Sequence, residues 1–218
     1  MAFSFPLTTA QFFQLLPVRE ISFDLPESVE HSETGSGEIL TADLGTRLWK
    51  GEISLGDMTP DEAATVLPLL DVLRRAGGSF MAYDLSRPGP RYDLTGTILG
   101  ASVPKLHTVA ANTREIRISG LPAAYQLRPH DYLAFSYGAS PNRHALHRIA
   151  TGATADGTGL TPLIEVSPNL RPDWALNADV KLVRASCKAV LVPGSVQPGR
   201  RKAALTSGAG FKFIQTLR

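Results

Sequence analysis

The 218-residue chain has little that would tie it to a membrane, to a disulfide framework or to nucleic acid. A single cysteine, Cys187, excludes an intramolecular disulfide and a zinc–cysteine cluster. No apolar run approaches the roughly 20 residues of a membrane-spanning helix, so we expect no membrane insertion. Residues 1–6 have neither a positive region nor a small-residue cleavage site, so we also expect no secretory signal. A net charge of +2 gives no reason to expect a nucleic-acid partner.

Catalytic motifs are also missing. His144 and His147 would share one face of a helix and could bind a metal with Asp156. The surrounding residues alternate as in a strand, where side chains three apart point to opposite faces, so we expect two ordinary histidines. Cys187 lies in an apolar segment without a neighbouring histidine, which predicts an inert buried thiol. We therefore expect no catalytic, cofactor-binding or metal-binding residue, and no enzyme.

Glycine and proline, by contrast, are abundant. The 19 glycines and 16 prolines form about a sixth of the chain, above the roughly 12% of an average protein. Such a content disfavours a helical bundle and favours many short elements joined by turns, and hence a mainly β fold. The segments with strand-like patterns are residues 49–55, 80–85, 116–119, 132–137, 146–150, 163–166, 180–183, 187–191 and 211–217.

One helix is predicted, near residues 59–76. Thr59 and Glu62 have the spacing of a capping box, and Pro60 suits the first helical position. Gly77 and Gly78 end the pattern. The predicted buried stripe consists of Ala63, Val66, Leu67, Leu70 and Leu73.

Two polar segments break both periodicities, and we interpret them as mobile loops. Residues 27–37 are acidic, and residues 193–210 are basic. In an assembly of identical subunits, one segment can meet the other across each contact, where such charges set register more than affinity. The predicted assembly contacts are Glu27, Glu30 and Glu33 on the acidic segment and Arg200, Arg201 and Lys202 on the basic one.

Several packing and turn motifs together resemble a group of tail proteins from long-tailed phages and prophages. In the first half, a tryptophan-bearing segment at residues 48–59 leads into the helix, then to a glycine and an aromatic strand at residues 78–88. One departure is His130, where the resemblance expects glycine before an Asp-Tyr pair. The later motifs lie at residues 130–133, 146–149, 154–159, 166–171 and 210–213.

The resemblance implies a tail-tip or baseplate protein similar to distal tail proteins. Such proteins form rings, usually hexameric, that join the tail tube to the hub and baseplate proteins at the virion tail tip, after assembly in the bacterial cytoplasm. The implied fold is a tube-like β-sandwich or barrel domain with one flanking helix (residues 1–96 and 186–218), plus an inserted small β-barrel domain (residues 97–185). The chain would return at residues 186–191 and complete the first sheet with residues 211–217, whose strong alternation requires a sheet to pair with.

Two other functions remain open. The first is a carbohydrate- or receptor-binding β module on the tail, which exposed aromatic side chains on one strand face would support. The second is a small hydrolase. The aromatic residues to examine for the first are Tyr125, Tyr132, Tyr137 and Trp174, for which we expect core packing.

Overall fold

The computed structural model describes residues 3–218. Residues 1 and 2 lie outside the described residues; they belong to the N-terminal segment 1–6 and to the predicted unit 1–96. Within that range the chain is mainly β, which confirms the predicted fold class. After a short 3-10 turn at Phe13–Leu15, the elements in chain order are β1 (Val18–Asp24), β2 (Val29–Glu33), β3 (Ile39–Asp43), β4 (Lys50–Leu55), α1 (Pro60–Leu73), β5 (Phe80–Ala82), β6 (Lys105–Val109), β7 (Glu115–Ser119), β8 (Gln126–Leu127), β9 (Tyr132–Tyr137), β10 (Arg143–Ile149), β11 (Ala153–Thr154), β12 (Ile164–Ser167), β13 (Val180–Lys181), β14 (Cys187–Leu191), β15 (Gln197–Lys202) and β16 (Leu205–Gln215).

The first sheet combines strands from two distant parts of the sequence. Its order is β1–β4–β16–β14–β5, with antiparallel neighbours throughout, and β15 pairs with the beginning of β16. The last strand lies in the middle of the sheet, and its alternating Phe211 and Phe213 bury their rings on the face that the core covers. The predicted return of the chain to this sheet is thus observed, while the domain boundaries themselves stay a prediction.

The helix α1 covers one face of this sheet. Its capping box is confirmed: the Thr59 hydroxyl accepts from the Glu62 amide at 3.4 Å, and the Glu62 carboxylate accepts from the Thr59 amide at 2.8 Å. The helix ends at Leu73, earlier than expected, because the chain turns before Gly77. No helix within residues 3–218 is long and apolar enough to cross a membrane. The buried face consists of Ala63, Val66, Leu69, Leu70 and Leu73, so that Leu69 takes the place predicted for Leu67.

The second sheet curls into a nearly closed barrel with its own core. Its order is β13–β9–β10–β12–β7–β6, and β6 returns to the segment beside β13. The Leu106 amide donates to the Ala178 carbonyl at 3.0 Å, and the Val180 amide donates to the Pro104 carbonyl at 2.8 Å. These two bonds close the ring of strands, which leaves few exposed strand edges in this part of the chain.

The two predicted mobile loops are wrong, because both segments form β-hairpins. In the acidic segment β2 pairs with β3 over five register positions. In the basic segment β15 pairs with β16. Neither β2 nor β15 alternates apolar and polar residues, since both strands are almost wholly exposed, and the period-two signal that marks an ordinary strand is therefore missing.

A buried aromatic contact joins the barrel to the first sheet. The indole Nε1–H of Trp49 donates to the Leu146 carbonyl at 2.8 Å. The Arg148 guanidinium lies over the Trp49 ring at 5.0 Å and over the Tyr132 ring at 5.5 Å. The Gln215 side chain accepts from the Trp49 amide and donates to the His144 carbonyl. These contacts fix the barrel at the end of the sheet where β4 begins.

The turn before β9 has the backbone conformation that glycine favours, although histidine occupies it. His130 has a φ of 76°, in the left-handed region. Its amide donates to the Ile149 carbonyl at 2.8 Å. The Asp131 carboxylate accepts from the amides of Arg128 and Arg91 at 2.7 and 2.9 Å. Hydrogen bonds on both sides therefore hold the turn against the strain of a side chain at this position.

The contact of Gly51 with Phe213 yields a stability prediction. A Cβ at position 51 would lie 2.2 Å from the Phe213 ring, which is buried over the glycine. We expect Gly51→Ala to lower the free energy of unfolding by about 1–3 kcal/mol, because the ring must move within a packed core. Urea denaturation measures the change. Gly35→Ala is the control, since a Cβ there meets nothing within 4 Å; equal losses in both variants would contradict the packing argument.

Candidate assembly surfaces

Two hairpins of opposite charge leave opposite ends of the first sheet. The acidic hairpin, residues 27–43, connects β1 to β4 at the end where Asp24 pairs with Lys50. The basic hairpin, residues 197–210, extends past the other end, where Gly210 pairs with Ser54. The six residues of β4 separate these ends by about 20 Å. One subunit therefore carries complementary charges on two distinct surfaces.

The acidic hairpin contributes nothing to a core. All residues from 30 to 42 are exposed except the half-buried Thr34. Residues 27–43 contain five Asp or Glu and no Lys or Arg, so the charge predicted for Glu27, Glu30 and Glu33 extends to Glu38, immediately before the second strand. An isolated two-stranded hairpin is marginally stable in water, so this ribbon gains order from any surface that covers it.

Exposed apolar side chains accompany these charges. Ile39 is 63% exposed, Leu40 56% and Leu44 66%. Ile39 and Leu40 are adjacent and point to opposite faces of the ribbon. The sequence analysis missed all three, because it ended the segment at residue 37. The sequence signal that could have found them is the apolar pair Ile39 and Leu40, which lies between acidic residues just after a Gly-containing turn.

The basic hairpin is anchored through its second strand, where Thr206 and Ala209 are buried, and its first strand is exposed. Thr206 and Met58 exchange two backbone hydrogen bonds of 2.9 Å each, and Thr206 is buried. Beyond that anchor, residues 197–205 are exposed except Gly199. Arg200 and Arg201 follow one another on β15 and lie opposite Ser207 and Thr206. Two consecutive strand positions point to opposite faces, so positive charge covers both faces of the hairpin.

The predicted contact residues are uncompensated within the subunit. The ion pairs found in residues 3–218 involve none of the six. The structure brings Arg200, Arg201 and Lys202 together on one strand, and Glu30 and Glu33 together on another. It does not bring the two sets together within one chain, since they leave opposite ends of the sheet. A contact between them therefore requires a second copy.

The two histidines of β10 occupy different environments. His147 is buried, and His144 is half-buried beside Ser136, so they point to opposite faces as the strand pattern predicts. No group of three or more His, Cys, Asp or Glu in residues 3–218 could hold a metal ion. His147 is nevertheless unusual: its Nδ1 lies 2.7 Å from the Pro168 carbonyl, and its buried Nε2 has no partner among the described residues.

The remaining predicted groups lie in the interior. Cys187 is buried, and desolvation raises the pKa of its thiol to about 12, as expected for an inert packing group. Tyr125, Tyr132 and Tyr137 are buried, and Trp174 packs partly buried against the barrel core. The core-packing interpretation of these aromatics is confirmed, and none of the three tyrosines offers an exposed stacking face.

Two comparisons with known proteins find no match. No protein-family model matches the chain, and no curated protein matches it. The proposed function therefore rests on the hairpins, the barrel and the junction between the barrel and the first sheet.

The buried His147 generates a pH prediction. Burial, together with a smaller effect of the Arg171 charge, lowers the pKa of its imidazole to about 4, although the hydrogen bond to the Pro168 carbonyl acts in the opposite direction. The unfolded chain has a pKa near 6.5, so it binds the proton first. The contribution of the neutral, buried His147 to the free energy of unfolding is therefore complete above about pH 6.5. It decreases by about 3 kcal/mol as the pH falls towards 4.

Comparing two variants separates the pH dependence caused by His147 from the pH dependence caused by the carboxylates. Asn at position 147 can still donate to the Pro168 carbonyl but does not titrate. We expect His147→Asn to flatten the dependence of the urea midpoint on pH between 7 and 4.5. His31→Asn, which changes an exposed histidine, should retain the full slope. A His147→Asn protein with the wild-type slope would refute the assignment.

Proposed function

We propose that this protein is a structural subunit of a phage or prophage tail tip, similar to distal tail proteins, that assembles with copies of itself into a ring. The observation that carries the proposal is the pair of oppositely charged hairpins at opposite ends of one sheet. Such surfaces make a heterologous, head-to-tail contact, which closes into a ring when the rotation per subunit allows it. The sequence motifs shared with tail proteins support the same conclusion.

Both hairpins expose groups that contact with a partner would stabilise. The acidic ribbon exposes Ile39 and Leu40 on its two faces, and a neighbour would bury them. At about 25 cal/mol per Å² of apolar surface, that burial supplies affinity, while the charges select the register. The basic hairpin supplies the complementary charge on the same scaffold.

The rigid junction suits a connecting role. The barrel and the first sheet share a buried cluster that includes Trp49, Tyr132 and Leu146. A subunit whose two β units keep one orientation can place one unit in a ring and direct the other towards a neighbouring component. In the proposed role those components are the tail tube protein and the hub or baseplate proteins, at the virion tail tip. This role needs no cofactor and no catalysis.

The turn at His130 also supports the resemblance. The family pattern expects glycine there, and the backbone of His130 has the positive φ that glycine favours. The chain therefore keeps the turn conformation despite the different residue.

Charge reversal tests the proposed contact. We expect Arg200→Glu, Arg201→Glu and Lys202→Glu together to raise the concentration needed for assembly at least tenfold at low salt. Exposed ion pairs contribute about 0.2–1 kcal/mol each, so three lost pairs amount to roughly 0.6–3 kcal/mol. Reversal also places like charges opposite one another, and this repulsion brings the total to a tenfold change or more. Light scattering across a concentration series measures the mass, and electron microscopy of the same sample shows whether a ring with a central hole forms.

Two further variants make the test specific. Arg75→Glu, Arg91→Glu and Arg218→Glu change the net charge equally at exposed positions outside both hairpins and should assemble as wild type. Glu30→Lys, Glu33→Lys and Glu38→Lys, added to the reversed basic hairpin, should restore assembly. Assembly that the basic-hairpin reversal leaves unchanged would overturn the proposed contact.

A further inference from the structure

Three arginines from distant segments line one groove where the barrel meets the first sheet. Arg47 precedes β4, Arg114 lies in the turn between β6 and β7, and Arg171 follows β12. The groove has a volume of about 630 Å³, in the range typical of small-molecule sites. Among the described residues that line it, none is Asp or Glu. The sequence gives no hint of this arrangement, since every two of the three positions are more than 50 residues apart.

Two of these guanidinium groups are held in place. Arg47 donates to the Leu25 carbonyl at 2.7 Å and to the Pro26 carbonyl at 3.3 Å. Arg171 donates to the Arg47 carbonyl at 2.9 Å and to the Tyr137 hydroxyl at 3.3 Å. A guanidinium carries five N–H donors, so each keeps donors for a ligand after these bonds are made. Fixing the planar group in advance reduces the entropy lost when an anion binds.

The third arginine has a fixed backbone and an exposed side chain. The Arg114 carbonyl accepts from the Val166 amide at 2.8 Å, and its amide donates to the Asn112 side chain at 3.0 Å. Its guanidinium makes no hydrogen bond or ion pair with another described side chain. Thr46, Thr113 and Ser167 add hydroxyl groups to the lining. The groove thus offers charged and neutral donors with no competing carboxylate in its described lining.

We propose that this groove binds a compact multivalent oxyanion, a phosphate ester or a polycarboxylate. Arginine pairs with such groups through two parallel N–H···O bonds, and three arginines match a group that concentrates negative charge at one point. The acidic hairpin of a second copy fits less well, because Glu30 and Glu33 point to opposite faces of a ribbon. The bound anion bridges Arg47, next to the first sheet, and Arg171 of the barrel, and so tightens the junction.

Calorimetric titration with pyrophosphate tests the proposal, with chloride at matched ionic strength as the reference. We expect saturable binding of one pyrophosphate per chain and a rise in the thermal midpoint. Arg114→Gln should weaken the affinity at least tenfold, since it removes an exposed side chain that the fold does not use. Arg75→Gln, at an exposed position outside the groove, should bind as wild type. Circular dichroism confirms that both variants are folded.

Three results would overturn the proposal. The first is heat no larger than that of matched chloride, and the second is equal affinity in wild type and Arg114→Gln. The third is a fall in the assembled mass on adding pyrophosphate, reproduced without ligand by Arg114→Gln, which would assign the groove to carboxylates of a second copy. Because the first two readouts are heats of binding, they are independent of whether the protein forms a ring.

Discussion

The arrangement of the whole molecule depends on the buried contact around Trp49. The indole lies where β4 begins, so one side chain connects the first sheet to the barrel through its hydrogen bond to the Leu146 carbonyl. Arg148 lies over both Trp49 and Tyr132, and its guanidinium also donates to the Tyr132 hydroxyl at 3.2 Å. Its buried Nε has no hydrogen-bond partner within residues 3–218, a cost that the two aromatic faces offset through cation–π attraction.

That junction gives the hairpins and the arginine groove their geometry. The acidic hairpin, the groove and the barrel all lie at the end of the sheet where Trp49 is buried, and the basic hairpin leaves the other end. A rigid body with opposite charges at its two ends can repeat head to tail without changing shape. In the proposed ring, every subunit would present the same barrel orientation to the next component. The groove lies across the same junction, so an anion there would act on the relative position of the two units.

The pattern of side chains along the chain predicted the elements that bury a face. The capping box at Thr59 and Glu62 predicted α1, and alternation predicted β4, β7 and β16, because those elements have one face on a core. An apolar run predicted β9, which is buried on both faces. Element ends were less predictable: β5 stops at Ala82 although Tyr83 and Asp84 are buried too. The two hairpins were not predictable as strands. Their backbone hydrogen bonds form a ladder, but both faces are exposed and the residues show no period.

The sequence by itself determined the mainly β class, the one capped helix, the inert buried cysteine and the opposite charges of the two polar segments, because these depend on local pattern and composition. Only the tertiary structure decided where those segments leave the sheet, that His147 is buried with an unpartnered nitrogen, and that Arg47, Arg114 and Arg171 share a groove. The physical reason is that these features depend on contacts between residues distant in the chain. Such contacts are set by how strands order within a sheet and how two cores pack, and neither follows from the spacing of residues along one segment.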